Sequence, residues 1–298
     1  MHAGMDNDIR GVGVALVTPF DESGAVDYEA LARVVAHVTE GGVDYLVALG
    51  TTAETPTLKR EEKRSVVAFI KEHNTKRLPI VVGCGGYDTD DVVSCIKALD
   101  LDGVSAVLSV TPYYSKPSQE GLYQHYKKIA DESPVPVLLY NVPSRTGVNM
   151  TAETTLRLAH EVPNILGVKE ACGTVGQMMQ VLCGRPEGFR VISGDDVMAL
   201  PLEAIGGDGV ISVVVNAFPH MLCGMMAAAG RGEYDVAAEI FRRLYPALEA
   251  MFAEGNPAGV KTALAVQGII GNYLRLPLVP GTPRLVETFR ELIETNGL

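Results

Sequence analysis

The sequence predicts an α/β fold, a (β/α)8 TIM barrel with a C-terminal helical appendage. The length of 298 residues fits one large barrel as well as two ordinary domains. Short runs rich in β-branched residues alternate with segments of helical period along the chain. Most of these runs contain a continuous apolar stretch, which is typical of parallel strands covered on both faces, and about eight such units indicate a closed barrel.

Each predicted strand is a short apolar run. The eight runs are 11–19, 45–50, 78–83, 103–112, 135–141, 164–170, 189–194 and 208–214. The segment 27–42, between the first two strands, has a helical period. Asp27 is the expected N-cap of this helix, and Gly41 with Gly42 is the expected stop.

Beyond the eighth strand, from about residue 216 to 294, the pattern is helical only and too long for one closing helix. We therefore predict a barrel over 1–215 and a helical region over 216–298, packed on the barrel without a sheet of its own. The alternative fold is an open doubly wound sheet. Its dinucleotide signature should follow the first strand, where the chain instead reads TPFDESG.

The composition restricts the partners of the protein. The formal net charge of -11 argues against nucleic acid or an anionic membrane as the main partner, because both require a basic surface. No apolar run approaches the roughly 18 residues of a membrane span. The N-terminal MHAGMDNDIRG lacks the pattern of a secretory signal, so we expect a cytoplasmic protein.

Several patterns that often indicate cofactors are absent or incomplete. The five cysteines are widely spaced without a C-x-x-C pair, so we expect reduced, mostly buried thiols. No histidine spacing indicates a metal site. GCGG at 83–86 lacks the full dinucleotide spacing, and GNPAGVKT at 255–262 has Val260 between the glycine and lysine that a P-loop needs adjacent. Neither segment is predicted to bind a nucleotide.

Lys169 directly follows an apolar run in ILGVKEACG (165–173). A buried lysine loses its hydration, so it either needs a charged partner or becomes neutral, and a neutral amine is a nucleophile. The simpler alternative is an ion pair with Glu170 at an exposed strand end.

The other predicted strand ends favour a catalytic lysine. Active sites of such barrels form at the carboxyl ends of the strands. Those ends carry hydroxyl, arginine and carboxylate groups in GTTAET (50–55), TPYYSKPS (111–118), YNVPSRTG (140–147) and GDD (194–196). The backbone N–H groups and hydroxyls of GTT are suited to binding a carboxylate. Tyr140 is suited to relaying protons, and Arg145 to binding a second carboxylate. Taken singly, each also fits an ordinary turn, a core-edge tyrosine or a solvated arginine.

With GTTAET, TPYY, YNVPSRTG and GVKEA in this order, the chain resembles the dihydrodipicolinate synthase family over about residues 10–295. This family belongs to the pyruvate-dependent class I aldolase superfamily, which includes N-acetylneuraminate lyase. The resemblance implies a (β/α)8 barrel with C-terminal helices, usually a homotetramer built as a dimer of tight dimers. It also implies condensation of pyruvate with aspartate semialdehyde toward diaminopimelate and lysine, without a cofactor.

The resemblance assigns catalytic roles to four residues. Lys169 is the Schiff-base lysine, which forms an iminium with pyruvate and then an enamine. Tyr140, Thr51 and Tyr114 form a hydroxyl relay for protons, with Tyr114 supplied to the site of a partner subunit.

The resemblance also assigns substrate binding. The backbone N–H groups of Thr51 and Thr52 hold the pyruvate carboxylate, Arg145 receives the semialdehyde carboxylate, and Ile211 provides a backbone carbonyl near the lysine. Ala53 departs from the pattern, because many relatives have glycine there. If that glycine requires a positive φ, alanine would be strained by about 1 kcal/mol or more.

Three other functions fit less of the sequence. Sugar-acid lyases of the same superfamily generally lack the arginine found here as Arg145. A non-catalytic keto-acid-binding barrel needs no buried amine. A phosphosugar isomerase barrel, with GGDGVIS (206–212) as its phosphate loop, leaves Lys169 without a role.

Some family members are inhibited by lysine at the tight-dimer interface. By position, the corresponding pocket would include Thr55, Pro56, Arg60, Lys63, Tyr87, Asp91 and Tyr113. The permanent cations at Arg60 and Lys63 would repel an ammonium group of the ligand, so we expect weak inhibition or none.

Overall fold

A computed structural model describes residues 9–296 of the chain. Eight parallel strands form a closed barrel in chain order, which confirms the predicted (β/α)8 fold. The strands are β1 (Gly11–Ala15), β2 (Tyr45–Ala48), β3 (Ile80–Gly83), β4 (Ala106–Val110), β5 (Val137–Asn141), β6 (Ile165–Glu170), β7 (Arg190–Ser193) and β8 (Gly209–Ser212). Each strand is shorter than its predicted run, because residues beyond the strand ends, such as Leu16 and Val17, are also apolar and buried.

Helices connect the successive strands. They are α1 (Tyr28–Glu40), α2 (Arg60–His73), α3 (Thr89–Ala98), α4 (Gln119–Glu132), α5 (Pro143–Thr146), α6 (Ala152–Glu161), α7 (Val175–Gly184) and α8 (Ala199–Ala204). In α1 the Asp27 carboxylate accepts a hydrogen bond from the backbone N–H of Ala30, and Gly41 is the C-cap. The predicted start and stop of this helix are therefore confirmed, and its buried stripe includes Leu31, Val34 and Val38.

Within residues 9–296, four further α-helices follow β8. They are α9 (Pro219–Gly230), α10 (Tyr234–Ala253), α11 (Ala258–Val266) and α12 (Pro283–Asn296). The expectation of a purely helical pattern is wrong for residues 267–282, which form turns and irregular chain. Pro277 and Pro280 lie in this segment, and proline lacks the backbone N–H that a helix interior requires.

The chain forms two compact units. One contains Pro79–Ile211 together with the described residues up to Gly11, and the other contains Val12–Leu78 together with the chain from Ser212 onward. In the first unit Tyr140 of β5 pairs with Lys169 of β6, which pairs with Ile192 of β7. The division into a barrel over 1–215 and a helical region over 216–298 stays a prediction.

The five cysteines are free thiols, but they are not mostly buried as expected. Only Cys84 is buried, whereas Cys183 is exposed and the other three are partly exposed. Cys95, Cys183 and Cys223 lie on helices α3, α7 and α9, and Cys172 lies in the turn after β6, so these side chains reach outer surfaces.

Among residues 9–296, no group of three or more histidine, cysteine, aspartate or glutamate side chains is arranged to hold a metal ion. No helix in the same range is both long enough and apolar enough to cross a membrane.

Candidate active site

Lys169 lies near the carboxyl end of β6 and is only 6% exposed. Its partner across the sheet is Tyr140 of β5, which is also buried. The Lys169 Nζ lies 4.3 Å from the centroid of the Tyr140 ring. The Lys169 amine therefore lies against the face of an aromatic ring.

Glu170 does not pair with Lys169. Successive strand residues point to opposite faces of the sheet, and the fully buried Glu170 has its own partners. Its carboxylate accepts hydrogen bonds from Asn141 Nδ2 at 2.9 Å, the Cys172 backbone N–H at 2.8 Å and Gln177 Nε2 at 3.1 Å. Burial raises the pKa of Glu170, and these hydrogen bonds oppose that rise.

Lys169 makes no ion pair with any residue in the described range. The alternative of an exposed ion pair with Glu170 is therefore wrong on both counts, because the lysine is buried and the carboxylate is bonded elsewhere. Chemically, a buried amine without a carboxylate partner suits nucleophilic attack on a carbonyl carbon.

Gly194 gives the Lys169 side chain its space. A Cβ at this position would lie 3.0 Å from Lys169 Cε and 2.9 Å from the Cβ of Ala171. Sequence reasoning noted this glycine only as part of GDD and did not connect it with the lysine. Ile211, another predicted site residue, is fully buried in β8. Because Val210 pairs with Ser193, Ile211 stands at the level of Gly194 on the neighbouring strand.

Arg145 belongs to the short helix α5, whose C-cap, Gly147, has a left-handed φ of 71°. The Thr146 hydroxyl donates to backbone carbonyls and accepts from Thr111 Oγ1 at 3.3 Å, which fixes this turn to the end of β4. The Arg145 side chain itself is exposed and makes no ion pair within the described residues. Its guanidinium is therefore available to an external anion.

Tyr114 is 93% exposed and has a positive φ of 69°. A non-glycine residue in this conformation is held there by its surroundings at some energetic cost. The adjacent Tyr113 packs edge-on against Tyr87, with 5.3 Å between the ring centroids. Neither Tyr114 nor Arg145 forms a hydrogen bond or ion pair with Lys169 in the chain as described.

Thr51 and Thr52 lie in the second unit, in a one-turn 3-10 helix over Thr51–Ala53 that follows β2. The Ala53 backbone N–H donates to the Gly50 carbonyl at 3.2 Å. The backbone N–H groups of Thr51 and Thr52 donate to no other residue that the structure describes. Two adjacent backbone N–H groups without an acceptor are suited to binding an anion such as a carboxylate.

Ala53 is buried and does not have a positive φ, so the strain considered for alanine does not arise. The left-handed residue of this turn is its neighbour Glu54, with a φ of 53°. Replacing a glycine at position 53 therefore leaves the backbone geometry of the turn unstrained at that residue.

Sequence reasoning missed a buried ion pair that involves Glu54, the C-cap of this turn. Glu54 Oε1 lies 2.5 Å from Lys261 Nζ, and both side chains are fully buried. Burial lowers the pKa of Lys261 to about 8, although Glu54 pulls it upward. A signal was present, because Lys261 is the one charged residue in the α11 sequence AGVKTALAV.

The sequence matches the model of the "Dihydrodipicolinate synthetase family" over residues 8–296. A protein of Parabacteroides distasonis named 4-hydroxy-tetrahydrodipicolinate synthase is 50% identical over 288 residues, which is 97% of each chain. The crystal structure of dihydrodipicolinate synthase from Thermotoga maritima superposes with a TM-score of 0.94 at 41% identity, covering 97% of this chain and 98% of that one.

A third relative was solved with a ligand. The chloride-inhibited dihydrodipicolinate synthase from Acinetobacter baumannii, complexed with pyruvate, has a TM-score of 0.93 at 40% identity, covering 97% of this chain and 99% of that one. Family match, sequence identity and fold agree over nearly the whole chain. The chain therefore belongs to the dihydrodipicolinate synthetase family, whose members are enzymes of the class I aldolase type.

Proposed function

We propose that this chain is a 4-hydroxy-tetrahydrodipicolinate synthase that condenses pyruvate with L-aspartate 4-semialdehyde through a Schiff base on Lys169. The observation that carries the proposal is the buried Lys169 amine, packed on the Tyr140 ring without a carboxylate partner among the described residues. The names of the relatives and the pyruvate complex of the Acinetobacter baumannii protein support the same reaction.

The reaction begins when the neutral Lys169 amine attacks the ketone carbon of pyruvate. Loss of water then forms a C=N bond to Nζ, and the protonated imine withdraws electrons from the adjacent methyl group. That methyl loses a proton to give an enamine, whose carbon attacks the aldehyde carbon of the second substrate. The amino group of the semialdehyde then attacks the imine carbon, which closes the ring and releases Lys169. No separate cofactor is required, because the protonated imine itself accepts the electron pair.

Tyr140, Thr51 and Tyr114 carry protons to and from these intermediates in the proposed mechanism. Each such proton transfer contributes about 10²–10⁴-fold to the rate. The nearly complete exposure of Tyr114 supports a role at the site of a partner subunit rather than in its own.

Substrate carboxylates are held at two positions. The unused backbone N–H groups of Thr51 and Thr52 bind the carboxylate of pyruvate, and the unpaired Arg145 guanidinium binds that of the semialdehyde. The Ile211 backbone carbonyl provides an acceptor near the lysine. The enzyme acts in the cytoplasm as a homotetramer, a dimer of tight dimers.

The proposed substrate choice is tested by offering the purified protein pyruvate with either L-aspartate semialdehyde or a sugar aldehyde such as N-acetylmannosamine. We expect the semialdehyde to be preferred by at least about 100-fold in kcat/KM, because a site built to bind a carboxylate discriminates against a ligand without one. Faster condensation with the sugar would instead make the protein a sugar-acid lyase. No condensation with either aldehyde would support a keto-acid-binding barrel.

A further inference from the structure

Glu54 ends the Thr51–Ala53 turn in a left-handed conformation, with φ 53° and ψ 34°. Residues with a side chain adopt this conformation at a cost, and it persists where surrounding contacts determine it. The geometry of the Thr51 and Thr52 backbone N–H groups therefore depends on the contacts that hold Glu54.

The Glu54 side chain is held by the C-terminal part of the chain. Oε1 forms the 2.5 Å ion pair with Lys261, and Oε2 accepts a 3.0 Å hydrogen bond from the Arg275 backbone N–H. Lys261 Nζ also donates to the Tyr273 carbonyl at 3.0 Å and lies 4.2 Å from the centroid of the Phe20 ring. The ammonium is thus fixed on several sides.

Arg275 fixes the segment that carries its backbone N–H. Its guanidinium donates to both carboxylate oxygens of Glu62, at 2.6 and 2.9 Å, and to the Thr57 carbonyl at 2.9 Å. This two-point contact lowers the pKa of Glu62 to about 2.

A second contact reaches the turn itself. Asn256 Nδ2 donates to the buried Thr52 Oγ1 at 3.0 Å. Asn256 and Lys261 both belong to GNPAGVKT, the segment that does not fit a P-loop. One short segment therefore contacts the turn at both Thr52 and Glu54.

We propose that Asn256 and Lys261 are positioning residues for pyruvate, which hold Thr51 and Thr52 so that their backbone N–H groups meet its carboxylate. The inference rests on the proposed role of this turn in binding pyruvate. Loss of the contacts from Asn256 and Lys261 misaligns these N–H donors and weakens pyruvate binding. Binding of the semialdehyde is unaffected, because its carboxylate is assigned to Arg145.

The first test is Asn256→Ala, which removes one neutral hydrogen bond and leaves every charge in place. We expect the KM for pyruvate to rise about tenfold, the size of one misaligned hydrogen bond to a charged group. The KM for the semialdehyde and the melting temperature should stay near the wild-type values. A merely structural role would lower the melting temperature and leave the two KM values in their original ratio.

The second test concerns Lys261. Because Lys261→Met alone leaves a buried carboxylate without its partner, the informative protein is the double variant Lys261→Met/Glu54→Gln, which is neutral at both positions. We expect it to fold and to show a pyruvate KM raised by about tenfold or more, because the anchoring ion pair is gone. Lys76→Met controls for the loss of a lysine that donates to a backbone carbonyl, because Lys76 Nζ donates to that of Thr39.

The proposal is overturned if both Asn256→Ala and the double variant keep a pyruvate KM within about twofold of wild type. If the double variant does not fold, Asn256→Ala alone decides. Failure of the underlying function is distinguishable, because a wild-type protein that forms no reducible pyruvate adduct contradicts the Schiff base itself. An unchanged pyruvate KM in variants of a wild type that does form the adduct contradicts only the positioning role.

Discussion

The tripeptide Gly-Val-Lys occurs twice in this chain, at 167–169 in strand β6 and at 259–261 in helix α11. Both lysines are buried, with exposures of 6% for Lys169 and 0% for Lys261. Lys261 meets the Glu54 carboxylate at 2.5 Å. Lys169 meets an aromatic ring and no carboxylate in the part of the chain described.

The two buried lysines have different partners, so burial alone does not identify a nucleophile. A buried ammonium with a carboxylate partner is held in place, and removing either member leaves a costly unpaired charge. A buried amine without such a partner is open to reaction with a carbonyl. The partner of each lysine, rather than the local sequence, therefore separates the proposed nucleophile from the proposed anchor.

The largest expected effect comes from Lys169→Ala. Removing the proposed nucleophile should lower kcat/KM by about 10⁴-fold or more, because no other group can form the imine. The melting temperature should change little, because no ion pair is lost. Steady-state kinetics and thermal melting of the same preparation measure both quantities. Substantial remaining activity would remove the distinction between the two lysines.

Lys261→Met should show the opposite pattern. Leaving Glu54 buried without its cation is expected to lower the free energy of unfolding by about 3–5 kcal/mol. Adding Glu54→Gln should recover most of that stability, because neither position is then charged. Urea unfolding of wild type, single variant and double variant provides the comparison. A single variant as stable as wild type would mean that the ion pair does not hold this region.

Tyr114→Phe tests whether the site around Lys169 requires a tyrosine from the partner subunit. We expect kcat to fall about 100-fold, within the range for loss of one proton-transfer group. Mixing this variant with inactive Lys169→Ala should restore activity, since a mixed dimer contains one site with an intact lysine and Tyr114 of the partner subunit. No recovery, despite demonstrated subunit exchange, would place Tyr114 outside the partner's site.

Arg145→Ala should separate the two substrates. The KM for the semialdehyde is expected to rise about tenfold to 100-fold, because a two-point contact with a carboxylate is lost. Reducible adduct formation with pyruvate should be unchanged, since this step requires Lys169 and not the guanidinium. Equal loss of adduct in Arg145→Ala and Lys169→Ala would contradict the assignment.

The smallest effect is expected from free lysine. Arg60 and Lys63, unlike Lys261, form no ion pair within the described residues, and their charges would repel an ammonium ligand. At about 1 mM lysine the initial rate should therefore stay within about twofold of the uninhibited rate. Half-inhibition well below that concentration would show that these cations do not face the ligand.

The barrel was predictable because its strands are continuous apolar runs separated by clear helix signals such as Asp27 and Gly41. The ends of the strands were less predictable, because residues such as Leu16 and Val17 remain buried after the strand has ended. The irregular segment 267–282 was missed although Pro277 and Pro280 indicate a break.

In the candidate site, Lys169 and Tyr140 were predicted individually, and the structure adds their contact across β5 and β6. The pairing of Glu54 with Lys261 could not be read from the sequence, because it joins residues far apart in the chain. The same holds for the hydrogen bond from Asn256 to Thr52. Long-range contacts of this kind depend on packing rather than on local pattern.

The most direct test of the account is reduction of the pyruvate complex with borohydride, followed by peptide mass analysis. Both Gly-Val-Lys peptides are monitored in the same digest, so Lys261 serves as an internal control. We predict that Lys169 alone gains the mass of the reduced pyruvate adduct, because its amine has no carboxylate partner. An unmodified Lys169 in an active enzyme, or an adduct on Lys261, would contradict the central claim.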